Sequence, residues 1–230
     1  MGGLSVRWAV NFPGRQALKV QASEVQALKI IEEPRAPNPR RVRIFLAEKG
    51  IAMAYEPISL LKHEHKSAEF RRLNPFAQVP TLVFDDGSTL TESVAICRYF
   101  EEMQPEPALF GTGARGRAEV EMWNRRVELG FYQCVAHCFR HTHPAMAAME
   151  QPQVAQWGEV NRGKALETLG LIDDILRQRP FIAGDQLSIG DITLLVSMDF
   201  MKPAKIERPA GIAGVERWYN EMASRPSAAA

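Results

Sequence analysis

The chain is poor in cysteine, nearly without net charge, and free of long apolar runs. Its 230 residues include three cysteines, Cys97, Cys134 and Cys138. So small and odd a count excludes a disulfide framework and fits a reducing cytosol, so the cytoplasm is the expected compartment. No Cys-x-x-Cys pair occurs, which argues against disulfide exchange by paired thiols. Lys and Arg total 28 against 27 for Asp and Glu, a formal charge of +1. A chain this neutral lacks the basic face that phosphate-backbone binding needs, so nucleic acid is not an expected partner. No apolar run approaches ~18 residues, which excludes a membrane-spanning helix, and no membrane partner is expected. Apolar residues are plentiful, at 46% of the chain. That suffices for a sizeable core spread over one or two domains.

Residues 1–27 show weak periodicity. Arg7, Asn11 and Arg15 break any secretory signal there, and the expectation is a poorly ordered extension. From Leu28 the text alternates. Residues 28–31 are β-prone. Pro34, Pro37 and Pro39 then impose a loop, because each fixes φ and lacks an N–H. Val42, Phe45 and Leu46 predict a helix over 40–49, stopped by Gly50. A strand over 54–60 and a short helix over 67–73 follow. Strands at 81–84 and 88–90 flank Asp85-Asp86-Gly87, a hairpin signal. Glu92 opens a helix whose buried face carries Ile96, Tyr99, Phe100 and Met103.

After Pro105 the strand signal stops. Val120, Trp123, Val127, Phe131, Cys134, Cys138 and His141 mark one long helix that Pro144 ends. Ala165, Leu169, Ile172 and Leu176 mark another, and Val215, Trp218, Tyr219 and Met222 a third. The expected organisation is an α+β domain over 28–105 followed by an all-helical domain over 112–227. Ser188 and Asp191 have the spacing of a capping box, with Leu187 and Ile192 as a hydrophobic staple. This is read as a structural cap worth about 0.5–2 kcal/mol.

Four stretches carry a resemblance: Arg41-Val42-Arg43-Ile44; Asn74-Pro75-Phe76-Ala77-Gln78-Val79-Pro80; Leu90-Thr91-Glu92-Ser93; and Phe181-Ile182-Ala183-Gly184-Asp185 through Ile192. In this order they resemble the soluble glutathione transferases over nearly all of 28–227. The text from Pro37 to Ile44 resembles a bacterial and fungal subgroup. The resemblance implies a thioredoxin-like first domain, a helical second domain and usually a homodimer. It implies reduced glutathione as co-substrate with no tightly bound cofactor, and a site for a small hydrophobic electrophile between the domains. That site is expected to draw on the inner face of the long helix and on residues 198–202.

Glutathione carries two carboxylates, an amine and a thiol. Glu92 and Ser93 stand at a helix start, where free N–H groups and the dipole favour an anion. In similar proteins the Ser holds the γ-glutamyl carboxylate and the Glu balances the amine. The alternative is that they only cap the helix. Val79-Pro80 resembles the family's cis bond, which presents the Val79 backbone to the cysteinyl residue. His65 and Lys66 match positions that meet the glycyl carboxylate as a cationic pair, with Gln78 nearby.

The thiol needs activation, because a free thiol with a pKa of about 8.5 is ionised only slightly near neutrality. Most of the family places a Tyr, Ser or Cys in the first loop. Here residues 34–40 hold none of these. The replacements considered are the start of the first helix, with Asn38 and a charge from Arg35 or Arg40, and a histidine of the long helix, foremost His141. Cys134 and Cys138 lie on the apolar stripe and read as core. Four zinc ligands cannot converge well from one helix, so no metal is expected. The functional expectation is transfer of the glutathione thiolate to an electrophile. The alternatives are a non-catalytic transferase-like binding module, or glutathione-dependent isomerisation, dehalogenation or peroxide reduction.

Overall fold

The computed structural model describes residues 28–230, so the extension expected over 1–27 lies outside the described residues. Four strands, β1 (Lys29–Glu32), β2 (Ala54–Pro57), β3 (Thr81–Val83) and β4 (Thr89–Thr91), form one sheet in the order β2-β1-β3-β4. β1 and β2 are parallel, and such a pair needs a crossover, here α1 (Pro37–Glu48). β3 runs antiparallel to both β1 and β4. Helices α2 (Ala68–Leu73) and α3 (Ser93–Met103) complete a thioredoxin-like domain. Ile30 and Leu82 from the sheet share a core with Val42 and Phe45 of α1 and Ile96 and Phe100 of α3. The hairpin turns through Gly87 at φ 80°, which a side chain would strain.

Two boundaries differ from expectation for physical reasons. Helix α1 begins at Pro37, inside the stretch expected as loop. A first helical turn has no use for the missing proline N–H groups, and the fixed φ suits it. Strand β2 stops at Pro57 instead of residue 60, and Ile58 N–H closes the pairing on the Glu32 carbonyl at 2.7 Å.

The second domain is all helical: α4 (Gly113–Arg126), α5 (Gln133–Thr142), α6 (Ala155–Leu176), α7 (Ile189–Phe200) and α8 (Ala213–Ala223). The one long helix expected is interrupted. Val127–Tyr132 forms a π-turn between α4 and α5, where the Gln133 N–H bonds the Glu128 carbonyl five residues back. The Gly130 carbonyl accepts instead from Thr168 Oγ1 of α6 at 3.2 Å. An inserted residue of this kind turns everything downstream by about a quarter of a helix turn or slightly more.

Helix α7 is buried from Ile189 to Met198 and forms the hub of this domain. Its capping box forms as expected, but Asp191 does more than cap. Oδ2 accepts from Ser188 N (3.0 Å) and Ser188 Oγ (2.8 Å), while Oδ1 accepts from Ile182 N (2.7 Å) and Trp218 Nε1 (2.9 Å). One carboxylate thus ties the α7 start to the preceding loop and to α8.

The two domains are joined by charged contacts. Arg40 of α1 meets Asp199 of α7 at 2.6 Å, and Glu48 takes Arg225 in a fork of 2.7 and 2.8 Å. Lys49 is buried, with its ammonium on Glu101 at 2.5 Å and on the carbonyls of Gln104, Pro105 and Pro107 in the connecting segment. Cys97, Cys134 and Cys138 are free and buried, and burial pushes each thiol up. They are core residues.

Candidate active site

Strand directions gather the site. β1 and β2 end at the edge of the sheet where β3 begins and β4 ends, because Ile31 pairs with Thr81 and Thr81 with Thr91. The loop 33–36, the segment 58–66, Val79-Pro80 and Glu92-Ser93 therefore converge on one end of the sheet. The Val79–Pro80 peptide is cis. The Gln78 carbonyl is held by Asn74 Nδ2 at 2.8 Å, which leaves its exposed side chain free of that duty.

Glu92 occupies the N-cap of α3 at φ 67°, ψ 113°, with no side-chain capping bond. Capping therefore does not account for this residue. A non-glycine residue held at such a φ costs about 1–3 kcal/mol and persists where a site requires it. Its carboxylate is exposed, while Ser93 is buried beside it. Ser93 Oγ accepts from Arg41 Nη1 at 2.6 Å, so its own proton is available to an incoming anion.

Arg41 is the residue that sequence reasoning missed. It is quoted in a motif, yet a charge next to the apolar positions of α1 was the available signal. It is 1% exposed and binds Asn38 Oδ1 at 3.1 Å with the same Nη1. Glu128 of the π-turn stands 3.4 Å away, and the Tyr132 ring lies 5.3 Å from the guanidinium. Its Nε and Nη2 are buried without hydrogen-bond partners among the described residues. One cation thus organises Asn38, Ser93 and the facing helix. Asn38 commits its oxygen to Arg41, leaving its amide N–H2 for a ligand. Since Pro37 and Pro39 carry no N–H, Asn38 is also the only residue among helical positions 37–39 with a backbone amide to offer.

The remaining predicted residues divide. Arg35 points outward, with a side chain 81% exposed and its Nε 3.5 Å from Glu33. His65 is buried, and burial together with Lys66, His63 and Arg71 pulls its pKa down. It is thus a neutral ring at neutral pH, not half of a cationic pair, and the exposed Lys66 carries the charge. His141 is not brought to this cluster. Its Nδ1 accepts from Val154 N–H at 3.1 Å and its Nε2 stands 3.7 Å from Glu150, in the connection to α6. His137 stacks on it and packs against Trp157 of α6. The π-turn presents a different set to α7: Tyr132 and Phe139 lie 6.3 and 5.0 Å from Phe200, and His143 lies 4.8 Å from Phe139. Among the described residues no three His, Cys, Asp or Glu side chains gather as metal ligands.

Comparison with known proteins matches the sheet domain and the helical domain separately. Residues 36–103 fit the model of the glutathione S-transferase N-terminal domain, and residues 136–226 that of the C-terminal domain. The chain belongs to the glutathione S-transferase family. Glutathione S-transferase 2 of Saccharomyces cerevisiae is 36% identical over 205 residues, covering 88% of each chain. A solved glutathione S-transferase domain-containing protein of Marinobacter aquaeolei VT8 superposes with a TM-score of 0.84 at 34% identity, covering 86% of this chain and 98% of that one. Gtt2 of Saccharomyces cerevisiae superposes with a TM-score of 0.83 at 36% identity, over 86% and 97%.

Proposed function

We propose that the protein is a glutathione transferase that binds reduced glutathione across the loop end of its sheet and transfers the thiolate to a small apolar electrophile. The observation that carries this reading is the convergence of cis Val79-Pro80 with the strained Glu92 and the Arg41-primed Ser93. Ser93 and the α3 amides receive the γ-glutamyl carboxylate, and Glu92 takes the amine. The Val79 backbone pairs with the cysteinyl residue, while Lys66, neutral His65 and Gln78 meet the glycyl end. Asn38 is the member of the expected activating set that stands in this cluster.

The electrophile is seated against Phe139, Phe200 and His143, an aromatic wall suited to flat apolar substrates. Arg41 and Glu128 tie the two half-sites together. The absence of a first-loop hydroxyl supports the subgroup reading. Three buried thiols without disulfides support a reducing cytosol, and among the described residues no helix is long and apolar enough to cross a membrane.

Phe76, 78% exposed beside the site, supports a homodimer in which this ring is covered. Sedimentation of the native protein should show twice the chain mass, with monomer in Phe76→Ser. A monomeric parent would remove the dimer from this account.

The test of the function is an ultraviolet titration of bound glutathione from acid to alkaline pH. A bound thiol pKa well below the free value of about 8.5 is expected. Absence of binding would defeat the assignment.

A further inference from the structure

Two arginines of the helical domain converge on one indole. Trp123 of α4 is half-buried and packs against the core. The Arg126 guanidinium, at the end of the same helix, lies 4.7 Å from the ring centroid, and that of Arg179, in the turn after α6, lies 4.5 Å from it. We propose that Arg126 and Arg179, held on Trp123, form a binding site for the diphosphate group of a small ligand, separate from the glutathione site.

The pair lacks a counter-charge. On α4 and the turn that follows, the positions three and four residues from Arg126 hold Met122, Trp123, Leu129 and Gly130, none of them acidic. Among the described residues the side chains of Arg126 and Arg179 make no hydrogen bond and no ion pair; their contact is with the indole. Burial pulls the Arg179 pKa down and the Arg126 charge adds to the fall, while Asp191 and Glu119 oppose it. Both of those acids are committed elsewhere. Asp191 accepts from Ile182, Ser188 and Trp218, and Glu119 pairs with Arg115 at 2.8 Å. Two like charges are thus gathered on one ring, and an anion between them would turn repulsion into attraction on both sides.

The two forks are also prearranged. A guanidinium on an aromatic ring spends its face and keeps its N–H edge for acceptors. Arg217 Nη2 donates to the carbonyls of Leu176, Arg179 and Pro180 at 2.8, 2.8 and 3.2 Å, which fixes the turn that carries Arg179. Ordering done by the fold need not be done again on binding.

The spacing and charge select the ligand. The guanidiniums stand no farther apart than their two ring distances laid end to end. A diphosphate reaches over such a gap and offers one tetrahedral group to each planar fork, whereas a lone carboxylate serves only one. Nucleic acid would need a broad basic face, and a chain with a formal charge of +1 has none to spare.

Calorimetric titration of the full chain with inorganic pyrophosphate, in chloride buffer at constant ionic strength, tests the site. Pyrophosphate should bind at one site per chain, and orthophosphate at least about tenfold more weakly, since it engages one fork. Arg126→Gln and Arg179→Gln should each weaken pyrophosphate about tenfold or more, and Arg126→Lys nearly as much, because a lysine keeps the charge and loses the fork. Arg117→Gln, an equal charge change at an exposed position of the same helix, should leave the affinity unaltered. Tm should hardly move in any of these variants, and saturating glutathione should not compete. Absence of pyrophosphate binding at millimolar concentration overturns the proposal. So does an equal loss in Arg117→Gln, which would reveal a diffuse positive field, or competition by glutathione, which would place the anion in the sheet-end site. Orthophosphate binding as tightly as pyrophosphate would overturn the diphosphate assignment.

Discussion

Replacing Asp191 with alanine is expected to cost about 3–5 kcal/mol of folding stability, more than a cap alone contributes. The substitution leaves four donors facing an emptied, dry space: two backbone N–H groups, the Ser188 hydroxyl and the Trp218 indole N–H. Each unpaired donor carries a desolvation cost of about 1–3 kcal/mol, partly relieved by relaxation. Burial pushes the Asp191 pKa up to about 6 against the opposing hydrogen bonds. The unfolded carboxyl titrates near ~3.9, so the parent protein holds this group's full stabilisation below that pH and loses part of it as pH rises through 6. The penalty of Asp191→Ala should therefore be largest in acid and smaller by about 1 kcal/mol at pH 8 than at pH 5. Denaturant unfolding at the two pH values measures this. Glutathione affinity of the folded fraction should be unchanged, because the carboxylate reaches no part of the sheet end. A small, pH-independent penalty would return Asp191 to the role of an ordinary cap.

The Glu92 substitutions should separate binding from stability. Glu92→Ala is expected to weaken glutathione binding about 10- to 100-fold, the loss of a charge-assisted contact of roughly 1.5–3 kcal/mol. Its Tm should hardly move, since the exposed side chain makes no capping bond. Glu92→Gly should lose affinity equally while matching or exceeding the parent's stability, because φ 67° is free of strain only for glycine. Calorimetric titration with glutathione beside thermal unfolding reads both quantities. Loss of stability without loss of affinity would show that the residue serves the fold alone.

The element order of the first domain was legible because hydrophobic period, proline and glycine positions all pointed the same way there. Val42, Phe45, Ile96 and Phe100 lie where their spacing puts them. The cap at Ser188 was equally plain, though its reach to Ile182 and Trp218 was not, since no local pattern encodes a partner 27 residues away. The candidate glutathione site was only half legible. Gln78, Val79, Glu92 and Ser93 sit in contiguous motifs, whereas Arg41, Glu128 and Tyr132 meet only through tertiary packing. A constant helical period carried from Val120 selects Phe131, Cys134 and His141, and the π-turn then changes which face meets the cleft.

That turn makes the helix sensitive to chain length in a way substitutions would never reveal. Excising one residue from Val127–Tyr132 would restore an unbroken α-helix, with its hydrogen bonds more regular than before. It would also rotate every later residue by about 100° about the axis. Phe139 and His143 would swing from the cleft while the sheet end stayed intact. Lineages that gain or lose this single codon would therefore share a thiol-binding half and differ in the molecules they attack.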